Sequence, residues 1–341
     1  MRRAIERVEQ GKHLSFDEMK NVSVQLFDEE TDSSDIQTFL VGLAEKGETA
    51  QEVAALASVM KSFATPYASS VSGLMDNCGT GGDGANTFNI STTVAFVLAA
   101  AGVKVAKHGN RKISSQSGSS DVLEALGIRL DLTPEQSAQL LKEQGLAFLF
   151  APNVHPKMKR IGAVRQAIQK PTIFNLVGPL TNPLALESQL AGISRTDFIM
   201  EYAAVLTLLG RKRAVVVAGA DGMDEASLAG QNNLVLVDKG DLLPFTLTPD
   251  DVGLKHASLH EISGGSAEEN ATILIDVLKG KRDAKFDVVV LNAALALFAA
   301  GRVETIQEGV HVATKCILSG KAFEKLVSLQ QFSERKVGVY V

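Results

Sequence analysis

The stretch Gly79-Thr80-Gly81-Gly82-Asp83-Gly84 places four glycines in six residues. Such a segment has little side chain to pack, and its backbone N–H groups can be approached closely by a bulky anion. A short strand candidate, Leu74–Cys78, precedes it, so the glycines fall at a strand end. They also spell G-x-G-x-x-G, the pattern of dinucleotide-binding folds. That reading requires a helix directly after the last glycine and an acid about twenty residues further on. Here Ala85-Asn86-Thr87-Phe88-Asn89-Ile90 carries no helical stripe, and the next strand, Val103–Ala106, runs into Lys107-His108. The glycines therefore point to a phosphate compound other than an ordinary dinucleotide.

Two further anion-binding segments follow. Asn89-Ile90-Ser91-Thr92 stands just before an apolar helix, Thr93–Ala101. Its hydroxyls suit capping, and a helix start carries positive partial charge that attracts phosphate. Lys107-His108-Gly109-Asn110-Arg111-Lys112-Ile113-Ser114-Ser115 then runs through Gln116 to Ser117-Gly118-Ser119-Ser120-Asp121, from a strand end to another helix start. Its cations, hydroxyls and N–H groups can wrap a phosphate. Each segment alone reads equally as capping or as surface loop; together they favour a ligand with several phosphates.

The surrounding pattern sets the fold class. Up to residue 70 only helices are legible. Ser15 and Glu18 make a capping box, Ser33-Ser34-Asp35 precedes the stripe Ile36, Phe39, Leu40 and Leu43, and Thr49 precedes Val53, Leu56, Ala57 and Met60. Thr65-Pro66 and Ser69–Gly73 read as a linker. Beyond it, strand candidates (Ala147–Phe150, Ala214–Ala218, Leu234–Val237, Val288–Leu291) alternate with helices near Val122–Leu126, from Thr133-Pro134, and near Lys157–Ile168 and Asp197–Leu209. The expectation is an α/β protein: a small all-helical N-terminal domain over 1–70, joined by a segment near 165–190, and a larger domain over 71–341. The latter has a mostly parallel central sheet flanked by helices.

Composition narrows the function classes. Charged residues are 21% and the net charge is −5, which argues against a dedicated nucleic-acid binder. Cys78 and Cys316 form no disulfide framework, and Cys78 reads as a packed residue rather than a nucleophile. The N-terminal Met1–Arg7 is charged without a following apolar stretch, and no run reaches the ~20 residues of a membrane span. A cytoplasmic soluble enzyme or binding protein is expected. Strand Ala214–Ala218 leads to Gly219-Ala220-Asp221-Gly222-Met223-Asp224-Glu225, whose adjacent carboxylates suit Mg²⁺ shared with substrate phosphates, or equally an ordinary acidic surface.

These segments in this order resemble the anthranilate phosphoribosyltransferase family, within the nucleoside-phosphorylase type of phosphoribosyltransferases. So does Phe150-Ala151-Pro152-Asn153-Val154-His155-Pro156, leading to Val164-Arg165 and Phe174–Pro183. The resemblance covers nearly the whole chain. It implies transfer of phosphoribose from phosphoribosyl diphosphate (PRPP) to the amine of anthranilate, the second step of tryptophan biosynthesis, by a homodimer using two Mg²⁺ ions per monomer. Carried over by position, PRPP would be held by Gly79, Gly82, Asp83, Thr87, Asn89, Ile90, Ser91, Thr92, Lys107, His108, Gly109, Asn110, Arg111, Lys112, Ser115 and Ser119. Ser91, Asp224 and Glu225 would organise the metal, and Gly79, Asn110, Arg165 and His108 would meet anthranilate. Gln116 and Ser120 depart from the family pattern, where Lys and Ala are common, and bear on local loop contacts.

The chemistry implied asks for no nucleophile or strong base, because an aromatic amine is largely unprotonated at neutral pH. Positioning and leaving-group neutralisation would suffice. Arg165, a fork of donors suited to a carboxylate, equally reads by spacing as one cation on a solvated helix face. His155 is open between turn structure and pocket lining. Two other readings stand beside this one: a pyrimidine-nucleoside phosphorylase-like enzyme using inorganic phosphate, and a nucleic-acid-binding paralogue using the basic helix near Lys157–Lys170. Leu26, Phe27, Phe39 and Leu43 are open between a dimer interface and internal core.

Overall fold

The computed structural model describes residues 1–111 and 117–335. Four helices come first: α1 (Arg2–Glu9), α2 (Phe16–Leu26), α3 (Ser33–Lys46) and α4 (Ala50–Ser62). Ser15 and Thr49 close capping boxes with Glu18 and Glu52, at the starts the sequence marks, whereas α3 is capped by Asp32, one residue before Ser33-Ser34-Asp35, which lie in its first turn. Leu26, Phe27, Phe39 and Leu43 are all buried inside this chain. They are internal core, and their sequence pattern therefore says nothing about a dimer interface.

The rest is built on one seven-stranded sheet of order β3-β2-β1-β4-β5-β6-β7. Its strands are β1 (Leu74–Gly79), β2 (Lys104–Gly109), β3 (Leu146–Phe150), β4 (Ser188–Gly192), β5 (Arg213–Ala218), β6 (Asn232–Asp238) and β7 (Asp241–Leu247). The first five are parallel, and β6 and β7 close the edge as an antiparallel pair. The interleaved helices are α5 (Ile90–Ala100), α6 (Ser119–Ala125), α7 (Pro134–Gln144), α8 (Ala151–Val154), α9 (Met158–Ile168) and α10 (Ile199–Leu208). After the sheet come α11 (Ala267–Leu278), α12 (Ala284–Ala299), α13 (Ile306–Leu318) and α14 (Lys321–Glu334).

Alternation along the strands separates two cores. Val215 and Val217 face the side covered by α5 and α12, while Ala214, Val216 and Ala218 face the other. On that second side the core runs without a break from β4–β6 through α10, Ile173–Leu180 and α9 into the N-terminal helices. The helical module is thus anchored by residues of the 161–180 region.

Three sequence expectations need correction. Val288–Leu291 is not a strand but the middle of α12, whose start is capped by Asp283. The run from Val288 to Leu297 is buried all round, which erases the helical stripe and leaves a β-branched run that reads as strand. β4 and β7 were not legible: β4 carries Ser188 and Gln189, and β7 is interrupted by Pro244 on the sheet edge. Finally, α5 starts at Ile90 rather than Thr93, so Ser91 and Thr92 lie in its first turn.

Candidate active site

Between β1 and β4 the chain reverses its direction of travel across the sheet: β2 and β3 follow outward on one side, β5 on the other. At such a switch point the connections diverge and leave a crevice beyond the strands' carboxyl ends. A cavity of about 760 Å³ opens there. It is lined by Gly79, Gly82, Asp83, Thr87, Asn89, Ile90, Ser91, Thr92, Lys107, His108, Gly109, Asn110, Arg111, Ser119, Arg165, Asp224 and Glu225. Every described residue nominated from the sequence is therefore brought to one place. Lys112, Ser115 and Gln116 lie outside the described residues.

Three glycines at strand ends make room for the acid pair. A Cβ on Gly192 would lie 1.5 Å from the Asp224 carbonyl oxygen, one on Gly79 2.1 Å from Asp224 Oδ2, and one on Gly219 2.1 Å from the Glu225 carbonyl oxygen. The turn after β5 thus crosses directly over the ends of β1 and β4. There Asp224 Oδ2 accepts from the Gly81 N–H at 2.6 Å, and Glu225 Oε1 accepts from the Ser91 N–H at 3.0 Å. The Asp224 N–H donates to Asp83 Oδ2 at 3.4 Å. The acids consequently join the glycine loop to the first turn of α5.

Both carboxyls are held above the usual range, Asp224 at about 7 and Glu225 at about 8. Desolvation by surrounding protein is the main cause, followed by the charge of Asp83 on Asp224 and of Asp224 on Glu225. A carboxyl whose folded pKa exceeds its unfolded one favours the folded state at acid pH, and that contribution is lost progressively as pH rises from about 4, the ordinary carboxyl range, to about 7 to 8. This excess of hard, negative oxygen fits a divalent cation such as Mg²⁺. Among the described residues no cluster of three or more His, Cys, Asp or Glu side chains is arranged to hold an ion. An ion at Asp224 and Glu225 would take most of its ligands from substrate oxygens and water.

Lys107, only 2% exposed, reaches the same floor from β2. Its Nζ donates to the Asn77 carbonyl oxygen at 3.0 Å and to Ser91 Oγ at 3.2 Å. Arg111 lines the cavity as well, from the end of β2. Its guanidinium is held by Glu124 through two contacts of 2.6 Å and by Asp121 at 3.2 Å, over the Phe150 ring. Its charge is paired with the acids of α6 at the rim of the cavity. Ser119 Oγ and the Ser120 N–H both donate to the Asn110 carbonyl oxygen, which ties the start of α6 to the end of β2.

The opposite wall has different chemistry. His108 and His155 stack edge to face, and burial lowers both, to about 3 and about 4. They are neutral at physiological pH. His108 Nδ1 donates to the Gly178 carbonyl oxygen at 3.3 Å, which leaves Nε2 as a buried acceptor without a partner among the described residues. His155 Nε2 donates to the Thr181 carbonyl oxygen at 3.0 Å. His155 therefore both fixes the turn and lines the cavity. Arg165 is half-buried, not on a solvated face: it stands over the Phe174 ring, and Nη2 donates to Asn175 Oδ1 at 3.3 Å. Cys78 lines the cavity too, but burial pushes its thiol well up, as expected for a packed residue.

Sequence reasoning gave no role to Gly192, Gly219, Phe174, Asn175 or Gly178. The first two sit at strand ends, one of them on the unread β4. The other three belong to a stretch without titratable groups, where no chemical signal stands out.

The described architecture is that of a two-module glycosyltransferase. Residues 2–64 match the model of the glycosyl transferase family helical bundle domain, and residues 72–323 match that of the same family's a/b domain. A relative from Exiguobacterium sibiricum named anthranilate phosphoribosyltransferase is 52% identical over 336 residues, covering 98% of this chain and 99% of the relative. The crystal structure of anthranilate phosphoribosyltransferase from Thermus thermophilus superposes with a TM-score of 0.92 at 39% identity, covering 97% of this chain and 99% of that one. The Saccharomyces cerevisiae enzyme in complex with PRPP and Mg superposes with a TM-score of 0.84 at 26% identity, covering 93% and 92%. The chain belongs to the anthranilate phosphoribosyltransferase family.

Proposed function

We propose that this chain transfers the 5-phosphoribosyl group of PRPP to the amine of anthranilate, giving N-(5-phosphoribosyl)anthranilate and diphosphate, the second step of tryptophan biosynthesis. The observation that carries this reading is one cavity with two unlike walls. One wall offers glycine N–H groups, the start of α5, Lys107 and a carboxylate pair. The other offers neutral histidines and an arginine standing over a phenylalanine.

In this reading Gly79, Gly82, Asp83, Thr87, Asn89, Ile90, Thr92, Lys107, Gly109 and Ser119 hold PRPP, with Lys112 and Ser115 of the adjoining loop. Asp224, Glu225 and Ser91 hold two Mg²⁺ ions per chain. Bound Mg²⁺ would supply neutralisation of the charge growing on the diphosphate leaving group. The protein's own part is positioning. The start of α5 directs positive partial charge at phosphate oxygens. Asn110, Arg165 and His108 hold anthranilate beside Gly79, whose missing Cβ makes room for the Asp224 carboxylate. The C1–O bond to diphosphate breaks, the C1–N bond forms, and the amine loses one proton to solvent.

Arg165 is half-buried and stands on the aromatic wall, so its guanidinium would meet the anthranilate carboxylate. Arg165→Ala should raise KM for anthranilate about tenfold, the scale of one charge-assisted hydrogen bond. KM for PRPP should change far less. Initial rates over a two-substrate grid decide it; an unchanged anthranilate KM would contradict the assignment.

The activity itself is tested by mixing protein, anthranilate, PRPP and Mg²⁺ and following anthranilate fluorescence. Loss that depends on all three components supports the reading. No loss with PRPP binding intact would point to another acceptor. The division into 1–70, joined by 165–190, and 71–341, a homodimer through the helical module, and a cytoplasmic location belong to the same proposal. Light scattering of the purified protein tests the dimer, and calorimetric titration of Mg²⁺ with PRPP tests the ion count.

A further inference from the structure

Asn270 lies on α11, outside the cavity and 2% exposed. Its hydrogen bonds reach two phosphate-facing segments. The Gly265 N–H donates to its Oδ1 at 2.8 Å. A backbone N–H can only donate, so this contact fixes the Asn270 amide orientation. Its Nδ2 then faces two acceptors, Asn89 Oδ1 at 3.0 Å and Ser117 Oγ at 2.8 Å. The first of these fixes the next amide in turn. With Oδ1 of Asn89 facing Asn270, its Nδ2 points the other way, where it donates to the Ser117 carbonyl oxygen at 3.4 Å. A carbonyl can only accept, so both ends of the chain of bonds demand the same two orientations.

We infer that Asn270 is a positioning residue for PRPP: it orients the Asn89 amide with its donor side toward Ser117, both residues lining the cavity, and so ties Asn89 to the segment that precedes α6. This rests on the assignment of Asn89 to PRPP above. The consequence is chemical. An Asn89 amide turned by 180° would set an oxygen, not an N–H, against the Ser117 carbonyl oxygen and break that tie. The backing of this wall is firm elsewhere too. Thr87 bridges Ser263, the Gly264 N–H donates to the Asn86 carbonyl oxygen at 2.9 Å, and a Cβ on Gly264 would lie 2.7 Å from both Asn270 Oδ1 and the Phe88 backbone.

The test is a double-mutant cycle in the full-length enzyme between Asn89→Ala and Asn270→Asp, read as KM for PRPP, KM for anthranilate and kcat. Asn270→Asp keeps the shape and the bond from Gly265 but removes both donated bonds, which permits Asn89 to turn over. Expected are a roughly tenfold rise in PRPP KM for each single variant, little change in anthranilate KM, and a double variant no worse than Asn89→Ala within about threefold. If the Asp variant does not fold, Asn270→Ser, which cannot span to both partners, carries the same prediction. Multiplying effects would overturn the proposal while leaving the PRPP assignment of Asn89 standing, and so would an Asn270 variant that alters both KM values equally. An Asn89→Ala enzyme with normal PRPP KM would overturn that assignment and the proposal with it.

Discussion

Asp224→Asn should lower kcat/KM by about a thousandfold or more while making the metal-free protein more stable at pH 8. The two effects share one cause. The Asp224 carboxyl is held at about 7 because desolvation and the charge of Asp83 oppose its ionisation. Above that pH the metal-free site carries charges that are poorly compensated. A neutral amide of the same shape removes one of them, and Glu225, raised in part by Asp224, ionises more easily. The gain should be a few degrees in Tm, on the order of 1–2 kcal/mol, and should shrink steadily as pH falls toward about 4, the ordinary carboxyl range of the unfolded chain. The activity loss follows from removing a ligand that helps neutralise the leaving group, a contribution of several kcal/mol, with roughly 1.36 kcal/mol for each tenfold in rate. Thermal scans at pH 5 and pH 8 beside initial rates check both halves. Lower stability at pH 8 would show that Asp224 serves the fold.

Gly192→Ala should cost about a hundredfold or more in kcat without touching any substrate. Its new Cβ would fall 1.5 Å from the Asp224 carbonyl oxygen, a backbone atom that cannot rotate away. Relief requires the turn after β5 to shift by an ångström or more, carrying both carboxylates with it. Displacement on that scale is enough for such a loss when catalysis depends on positioning. The variant should also weaken Mg²⁺-dependent PRPP binding, measured by calorimetry. Gly162→Ala is the control, since a Cβ there meets nothing within 4 Å. Near-normal kinetics for Gly192→Ala would mean that the acids need no fixed seat.

How far the sequence could be read follows from what kind of interaction shaped each part. The helical start was legible because Ser15, Ser33-Ser34-Asp35 and Thr49 announce helices locally and amphipathic stripes follow them. The parallel strands before the glycine, basic and acidic loops were legible as short apolar runs ending in polar segments. α12 was not, because burial on every side leaves no period to detect. β4 was not, because its identity is set by pairing with β1 and β5 rather than by its own residues. In the site, charged and glycine-rich segments stood out, and the resemblance assigned them roles. What escaped was supporting geometry: the space at Gly192 and the orienting bonds of Asn270 join residues far apart in the chain and leave no local pattern. The pairing of Arg111 was not visible for a related reason, since its partner Glu124 lies on the next helix.

The central claim is that the phosphate-facing and aromatic walls serve a single transfer. It is tested most directly by measuring diphosphate release and anthranilate loss in the same mixture, with Mg²⁺ and after chelation. Equal initial rates for the two, both abolished by chelation and restored by added Mg²⁺, are the predicted result. Diphosphate release that continues at the same rate without anthranilate would contradict it, as would an activity that requires inorganic phosphate and a nucleoside instead.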